Sequence, residues 1–373
     1  MTVIKQVQAR TVRVPLDYVT SFSTRTVDAR YYTLVRVVGD DGVAGIGFCY
    51  AGSQLGELST VAVQKLLSDR VRGQDAHRVE GLWQDMYQES LLQGRAGAVH
   101  RGLSALDIAL WDRNARAADL PLHRYLGAVE LDSVGAYASG GYYREGKSPG
   151  DLAEEMASYA ASGFTAFKVK VGMVSPREDA ERIAAVRAAV GPDGLMMLDA
   201  NNAWQDVPTA VRALRMWEEF DPYWIEEPFS PDDIESHAKL AQLSPVPVAT
   251  GEIEAGRWRH QELLEKGAAQ ILQTDAAVCG GISEFRRIAA AADSRGVTMS
   301  PHWFHDLHAP LVASTPNARF VEYFADDQVL NFRRLLDRQM TVRDGRLLLH
   351  QMPGLGFDFD EAAVDEYGCG EWA

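Results

Sequence analysis

The sequence predicts an α/β protein whose main part is a (β/α)8 barrel. From about residue 134 onward, short apolar or β-branched runs alternate with helical segments of roughly ten to fifteen residues. Strands joined by crossover helices pair in parallel because the crossover is right-handed, and eight in succession predict a closed barrel. The runs lie at 134–139, 166–171, 196–200, 223–227, 248–252, 271–275, 298–302 and 320–323.

The first part of the chain follows another pattern. Residues from about 3 to 50 alternate between apolar and polar side chains, with a Gly-Asp-Asp-Gly turn at 39–42, which is typical of paired antiparallel strands. Residues from about 57 to 117 change to helical spacing, and Pro121 and Gly127 end this region. About fifty residues follow the last predicted strand, too many for one terminal helix, so we expect this tail to return to the N-terminal region.

Composition excludes several classes of function. The 373 residues include 37 Lys+Arg and 52 Asp+Glu, a net charge of −15, which disfavours nucleic-acid binding. The three cysteines lie far apart and without a CxxC pair, which argues against a disulfide framework or a zinc site. Because no apolar run approaches the roughly 18 residues of a membrane span, we expect no membrane partner and a cytoplasmic location.

Carboxylates end three consecutive predicted strands, where the catalytic groups of such barrels stand. These are Asp199, Glu226 and Glu252. Three carboxylates at one barrel mouth repel one another unless a cation lies between them. Oxygen ligands without nearby cysteine or histidine favour Mg²⁺. Capping of the following helices would explain one such acid more readily than three in register.

Basic residues flank the proposed metal site. Lys168 and Lys170 share one face of the second strand, and two ammonium groups near a divalent cation would lower one pKa towards ~7–8, as a general base requires. A solvated strand face would give the same lysine pattern, and this alternative stays open. On the other side, Asp275 would fix the tautomer of His302.

The ordered set of motifs resembles the enolase superfamily, and within it the mandelate racemase subgroup. The resemblance spans nearly the whole chain. Any one motif is weak evidence, but the set at barrel spacing is highly specific. The motifs are ALDIALWD at 105–112, FKVKVG at 167–172, LDAN at 198–201, WIEEP at 224–228, ATGE at 249–252, QTD at 273–275, SPH at 300–302 and VEY at 321–323.

The resemblance implies a fold and a domain organisation. It implies a modified (β/α)8-type TIM barrel over residues 131–325, covered by an α+β capping domain over residues 1–130. Residues 326–373 would return to that capping domain. Barrels of this type are often oligomeric, so we also expect a homo-oligomer.

The resemblance also implies the chemistry. One Mg²⁺ per site, held by the three carboxylates, would bind a substrate carboxylate, and the proton beside that carboxylate would be removed to give a metal-stabilised enediolate. Lys170 would be the base, with Lys168 lowering its pKa and contacting the carboxylate. The Asp275–His302 pair would serve the other face. Glu322 would donate a hydrogen bond to the enediolate, and Asn201 would lie near the metal.

Two outcomes stay open from this machinery. Loss of a β-hydroxyl, with His302 as the acid, makes a dehydratase; protonation from the opposite face makes a racemase or epimerase. Polar residues near 17–30 and 50–57, among them Arg25 and Tyr50, predict a polar pocket wall made by capping-domain loops. The working hypothesis is therefore a dehydratase of a hydroxylated small-molecule acid, an aldonate or aldarate.

Three rival interpretations of these residues are possible. A Schiff-base role for Lys170 would leave the three acids without a purpose. A non-catalytic relative would be expected to have lost some of these groups. The HxxHxxH pattern of His302, His305 and His308 could suggest a transition-metal site, but residues on a strand end followed by a helix need not converge. Either later histidine, or Trp303, could instead contact substrate.

Overall fold

The N-terminal part of the chain is a sheet covered by helices. A computed structural model describes residues 1–326 and 329–373. The sheet is three-stranded and antiparallel, made of β1 Ile4–Phe22, β2 Arg25–Gly39 and β3 Ala44–Gly52. The helices that follow are α1 Glu57–Ala62, a π-helical turn Val63–Leu67, α2 Ser68–Val71, α3 Val79–Ser90, α4 Ala98–Ala117 and α5 Leu122–Tyr125.

The rest of the chain forms the predicted barrel. Each predicted run contains a strand: β4 Ser133–Ser139, β5 Ala166–Lys170, β6 Leu195–Asp199, β7 Pro222–Glu226, β8 Val248–Thr250, β9 Ile271–Leu272, β10 Thr298–Met299 and β11 Val321–Tyr323. The helices are α6 Pro149–Ala161, α7 Pro176–Val190, α8 Val207–Trp217 with a 3-10 turn Glu218–Phe220, α9 Ile234–Leu243, α10 Gly256–Lys266, α11 Ala276–Cys279, α12 Gly281–Asp293 and α13 His305–Ala313. Several strands are shorter than predicted because the functional residues follow the last ladder position.

Parallel pairing closes the barrel. Strands β4 to β10 pair in chain order, and β11 pairs with β4. Met299 of β10 bonds to the segment just before β11 and so completes the barrel. Its amide donates to Asn317 O at 2.9 Å, and its carbonyl accepts from Arg319 N at 2.9 Å. All eight strand ends therefore surround one mouth.

The C-terminal segment returns to the first sheet. It contains a 3-10 helix Asn331–Leu335, β12 Val342–Arg343, β13 Arg346–Leu348 and α14 Glu361–Glu366. Its last residues bond to the edge of β1, with Ala9 N donating to Ala373 O at 2.8 Å and Cys369 N donating to Thr11 O at 2.9 Å. Residues 327 and 328 of the predicted segment 326–373 lie outside the described residues. The domain boundaries themselves remain a prediction. Across the described ranges, no helix combines the length and apolar character needed to cross a membrane.

Helix α4 joins the N-terminal sheet to the barrel through two buried carboxylates. Asp112 accepts from Ile46 N of β3 at 2.8 Å and from Leu355 N of the C-terminal segment at 2.6 Å. Asp107 accepts from Ser283 Oγ of α12 at 2.6 Å. Burial raises the pKa of Asp107 to about 7 despite that bond. The capping region is thus held to the barrel by specific hydrogen bonds as well as by apolar packing.

Two glycines allow β3 to lie directly against α4. A Cβ on Gly45 would overlap with Ala109 O, and a Cβ on Gly47 would overlap with Ala105 O. Because these obstacles are helix backbone, no side chain can move aside to make room. The contact therefore depends on the missing side chains.

We predict that Gly47→Ala destabilises the protein by about 1–3 kcal/mol or more, the usual cost of overpacking a core. The midpoint of urea unfolding would measure it. Gly150→Ala is the matched control, since its nearest neighbour would be Ser148 Oγ at 3.5 Å and the residue lies in α6; it should be neutral or slightly stabilising. An unchanged midpoint for Gly47→Ala would show that α4 and β3 can separate without cost.

Candidate active site

The ends of β5, β6 and β7 bring buried charges of opposite sign together. Lys168 Nζ lies 2.5 Å from Glu226 Oε1 and 2.6 Å from Glu322 Oε1. Lys170 Nζ lies 2.5 Å from Asp199 Oδ2. All five residues are buried. The lysine pair is thus part of the barrel interior, which excludes the solvated strand face that the sequence left open.

The pKa of Lys170 departs from the prediction. Burial lowers the pKa of the ammonium, but the adjacent Asp199 carboxylate, together with Tyr142 and Glu226, more than offsets burial and raises the pKa above its ordinary value. Among the protein groups alone, then, the direction is opposite to the predicted fall. The prediction counted the repulsion by Lys168 and a divalent cation, and each lysine here has a carboxylate partner instead. A cation that took over the charge of Asp199 would restore the predicted direction.

The surrounding groups favour the ionised form of Glu322. Burial raises the pKa of its carboxyl, but Lys168, together with His302 and Lys170, outweighs burial and lowers the pKa below its ordinary value. Glu322 Oε2 also accepts a hydrogen bond from Trp303 N at 2.8 Å. The donor role expected of Glu322 therefore requires a rearrangement around Lys168 when substrate binds.

The three proposed metal ligands do not all converge on one point. Asp199 and Glu226 are paired neighbours on β6 and β7, while Glu252 follows β8 and lies 3.6 Å from His302 Nε2. Within the described ranges, no three acidic, imidazole or thiolate groups already form a complete metal-ligand set. The lysine ammonium groups lie against Asp199 and Glu226 instead.

The donor set nevertheless fits a divalent cation. Burial, followed by the neighbouring Asp199, raises the pKa of Glu226 well above its usual value, and burial with Glu227 does the same for Glu252. Glu252 Oε2 and Asn201 Oδ1 are buried with no hydrogen-bond partner among the residues described. Carboxylates that resist ionisation and oxygen atoms without partners are what a hard cation would satisfy.

The Asp275–His302 pair forms as predicted. Asp275 Oδ2 lies 3.1 Å from His302 Nδ1, which leaves Nε2 directed towards Glu252 and the pocket. The other carboxylate oxygen, Oδ1, accepts from Ala277 N at 2.7 Å and caps α11. This cap on one oxygen of Asp275 fixes the orientation of the other.

His308 supports this pair and does not bind the pocket. Ala276 N donates to His308 Nε2 at 3.0 Å, so the hydrogen must lie on Nδ1, which donates to Trp303 O at 2.9 Å. His305 is buried beside Tyr323, with ring centroids 4.8 Å apart. Neither histidine lines the pocket, so the suggested substrate contacts of His305 and His308 are not found.

Most of the predicted site residues line a single pocket. Lys168, Asp199 and Glu226 lie beneath its floor. The others line it: Lys170, Asn201, Glu252, Asp275, His302, Trp303, Glu322, Tyr50 and Arg25. The backbone at its rim is strained, with φ of 44° at Asn201 and 56° at Trp303.

The predicted pocket wall is wrong in one respect. Residues 17–30 are not a loop but the ends of β1 and β2, which form a hairpin with its tip at 23–24. The wall combines polar residues, Arg25, Arg30, Tyr50 and Ser53, with the apolar Phe22 and Val27. Tyr18, where the register of β1 against β2 shifts, bonds to Asp326 instead.

Sequence reasoning also missed several residues of the site. Tyr142 follows β4 and lies under Lys170, with Nζ 5.0 Å from its ring centroid; the rule that located the other strand ends could have found it. Glu227 is buried and accepts from Gly251 N at 3.3 Å and from Asn202 Nδ2, so it ties together three strand ends. Arg30 and Arg101 line the pocket from the capping side, without a signal in the sequence.

Comparison with known proteins gives the family. Residues 3–127 match the model of the mandelate racemase/muconate lactonizing enzyme N-terminal domain, and residues 151–363 match the enolase C-terminal domain-like model. Among similar proteins is the L-talarate/galactarate dehydratase of Salmonella typhimurium, 36% identical over 88% of this chain and 81% of its own. The arabinonate dehydratase of Saccharolobus solfataricus is 33% identical over 88% of both chains.

Solved structures agree over the full length. A racemase from Streptomyces coelicolor A3(2), crystallised with bound magnesium, superposes with a TM-score of 0.92 at 30% identity, covering 98% of this chain and 99% of that one. The family models and the relatives both cover the capping region and the barrel. This chain therefore belongs to the mandelate racemase/muconate lactonizing enzyme family of the enolase superfamily.

Proposed function

We propose that this protein is a Mg²⁺-dependent dehydratase of a sugar acid, which removes water from an aldonate or aldarate to give a 2-keto-3-deoxy acid. The observation that carries the proposal is that the buried lysine–carboxylate cluster and the Asp275–His302 pair meet at one pocket. Two relatives named as sugar-acid dehydratases support it.

Asp199, Glu226 and Glu252 would hold the metal, which when bound would polarise the carboxylate of the substrate as a Lewis acid. The support for these ligands is their burial, their raised carboxyl pKa values at positions 226 and 252, and the unpartnered oxygen of Glu252. Lys168, close to Glu226 and Glu322, would add a fixed positive charge beside the same carboxylate.

Lys170 would take the proton from C2 of the substrate. Its amine lies in the pocket wall, and its partner Asp199 must release it before it can accept a proton. Desolvation then favours the neutral amine, as a general base requires. The two electrons of the C2–H bond remain with the substrate, where the negative charge spreads onto the carboxylate.

His302 would complete the dehydration. With Nδ1 held by Asp275, its Nε2 faces the pocket and would deliver a proton to the hydroxyl on C3. The C3–O bond then breaks and water leaves. The enol that remains takes a proton at C3 and loses the proton of its C2 hydroxyl, which gives the 2-keto-3-deoxy acid. Each molecule of sugar acid thus gives one molecule of 2-keto-3-deoxy acid and one of water.

Racemisation or epimerisation is the second candidate. Lys170 and His302 reach the pocket from β5 and β10, which are separated by β6 to β9 on one side and by β11 and β4 on the other. A proton returned to C2 by His302 would invert that centre without loss of water. The similar Streptomyces coelicolor structure is described as a racemase.

We predict that the protein binds one Mg²⁺ per chain in titration calorimetry, and that Glu226→Gln weakens binding at least tenfold, since even supporting groups contribute about 10–100-fold to metal affinity. Asp206→Asn is the control, because this exposed acid also follows β6 but caps α8 through Thr209 N at 2.8 Å. Equal weakening by both variants would reject the metal site.

We predict that Lys170→Ala and His302→Asn each lower kcat for dehydration by about 10²–10⁴-fold. The reaction would be followed by semicarbazide detection of keto product over a library of diastereomeric sugar acids with Mg²⁺. In D₂O, His302→Asn should still exchange the C2 proton while Lys170→Ala should not. Exchange in the unmodified enzyme without water loss would favour epimerisation, and no keto product with any acid would reject dehydration.

A further inference from the structure

Arg30 is a buried cation in the capping wall of the pocket. It lies on β2, is 4% exposed, and lines the same cavity as Lys170 and His302. Its Nε donates to Val329 O at 2.9 Å. The guanidinium carbon lies 4.5 Å from the Trp303 ring centroid and 5.5 Å from that of Tyr50. One edge of the guanidinium is therefore fixed by the protein, and the group lies over two aromatic rings.

The rest of the guanidinium has no counter-charge. Among the described residues, Arg30 makes no ion pair, whereas buried Arg10 pairs with Asp365 and buried Arg113 pairs with Asp41. A buried cation without an anion is costly, and contacts with aromatic faces offset only part of that cost. An anion bound in the pocket would supply the missing negative charge.

Stacking alone does not account for this lack of a partner. Arg36 lies on the same strand and stacks over Trp372 at 4.2 Å, but it also pairs with Glu361. A stacked arginine in this sheet can thus have a carboxylate beside it. Arg30, by contrast, has no ion pair among the described residues; of the three arginines that line the pocket, Arg25, Arg30 and Arg101, it is the one held over Trp303 and Tyr50.

The position of Arg30 suits the far end of a short substrate. The Trp303 ring contacts both Arg30, at 4.5 Å, and the His302 ring, at 5.4 Å between centroids. The guanidinium carbon and the imidazole therefore lie no farther apart than these two distances together. A short hydroxylated chain with its C3 hydroxyl at His302 can therefore bring its far end to Arg30.

We propose that Arg30 binds the second carboxylate of a sugar diacid, so that the enzyme acts on aldarates in preference to aldonates. This inference rests on the proposed function and narrows its substrate class. The guanidinium offers a planar pair of donors that matches a carboxylate, and the aromatic rings hold it in place before the ligand arrives. A hydroxymethyl group at the same end of an aldonate would leave the cation unpaired.

The test measures binding of matched acids in the Lys170→Ala background, with Mg²⁺ present, so that no turnover interferes. The probes are galactarate and galactonate, and glucarate and gluconate, each pair differing in the far group. Titration calorimetry should show at least one diacid binding about 10–100-fold more tightly than its partner. Arg30→Met should remove that preference and leave the monoacid affinity unchanged.

Two further variants make the result specific. Arg36→Met removes a stacked arginine from the same strand and should keep the preference for diacids. Arg30→Lys keeps the charge without the planar donor pair and should keep only part of it; it also carries the test if Arg30→Met does not fold. Equal binding of diacid and monoacid, or an equal loss of both in Arg30→Met, would overturn the assignment.

Failure of the proposed function would look different. If diacids bind through Arg30 but the unmodified enzyme forms no keto product from them, dehydration is wrong and the assignment of Arg30 stands. If only aldonates are dehydrated, dehydration stands and the assignment of Arg30 is wrong.

Discussion

The structure depends on a group of buried charges that no single element could hold. Lys168, Lys170, Asp199, Glu226 and Glu322 come from four barrel strands and are almost entirely shielded from water. Each would be costly to bury alone. Parallel pairing sets the spacing of the strand ends and so places each charge beside its opposite. Carboxylates outnumber ammonium groups there, and this surplus of negative charge favours the binding of a further cation, as the proposed function requires.

The barrel and its charged mouth could be predicted because both follow from local patterns. Alternation between short β-branched runs and helical spacing identifies each strand, and parallel pairing then brings the strand ends together without any knowledge of contacts. Asp199, Glu226, Asp275 and His302 were located in this way. The same reasoning placed Lys168 and Lys170 on one side of a strand, although it could not tell a buried face from a solvated one.

The pocket wall and the protonation states could not be predicted because they depend on distant partners. Which residues of the β1–β2 hairpin face the pocket is decided by its register over the barrel, and this put Phe22 inward and Tyr18 outward. The direction of the Lys170 pKa shift depends on a carboxylate 2.5 Å away on another strand. Arg30 reads in the sequence as an ordinary surface arginine, and only burial without an anion distinguishes it.

The tip of the β1–β2 hairpin rests on the peptide that follows Asp199. Ser23 and Thr24 hydroxyls donate to Asn201 O at 3.0 and 3.1 Å, while the same hairpin presents Arg25 to the cavity. The hairpin that lines the pocket is thus also hydrogen-bonded to the backbone beside Asp199. A hairpin transplanted from a relative would therefore have to supply equivalent hydroxyl donors at its tip, or the backbone beside Asp199 would lose these two bonds.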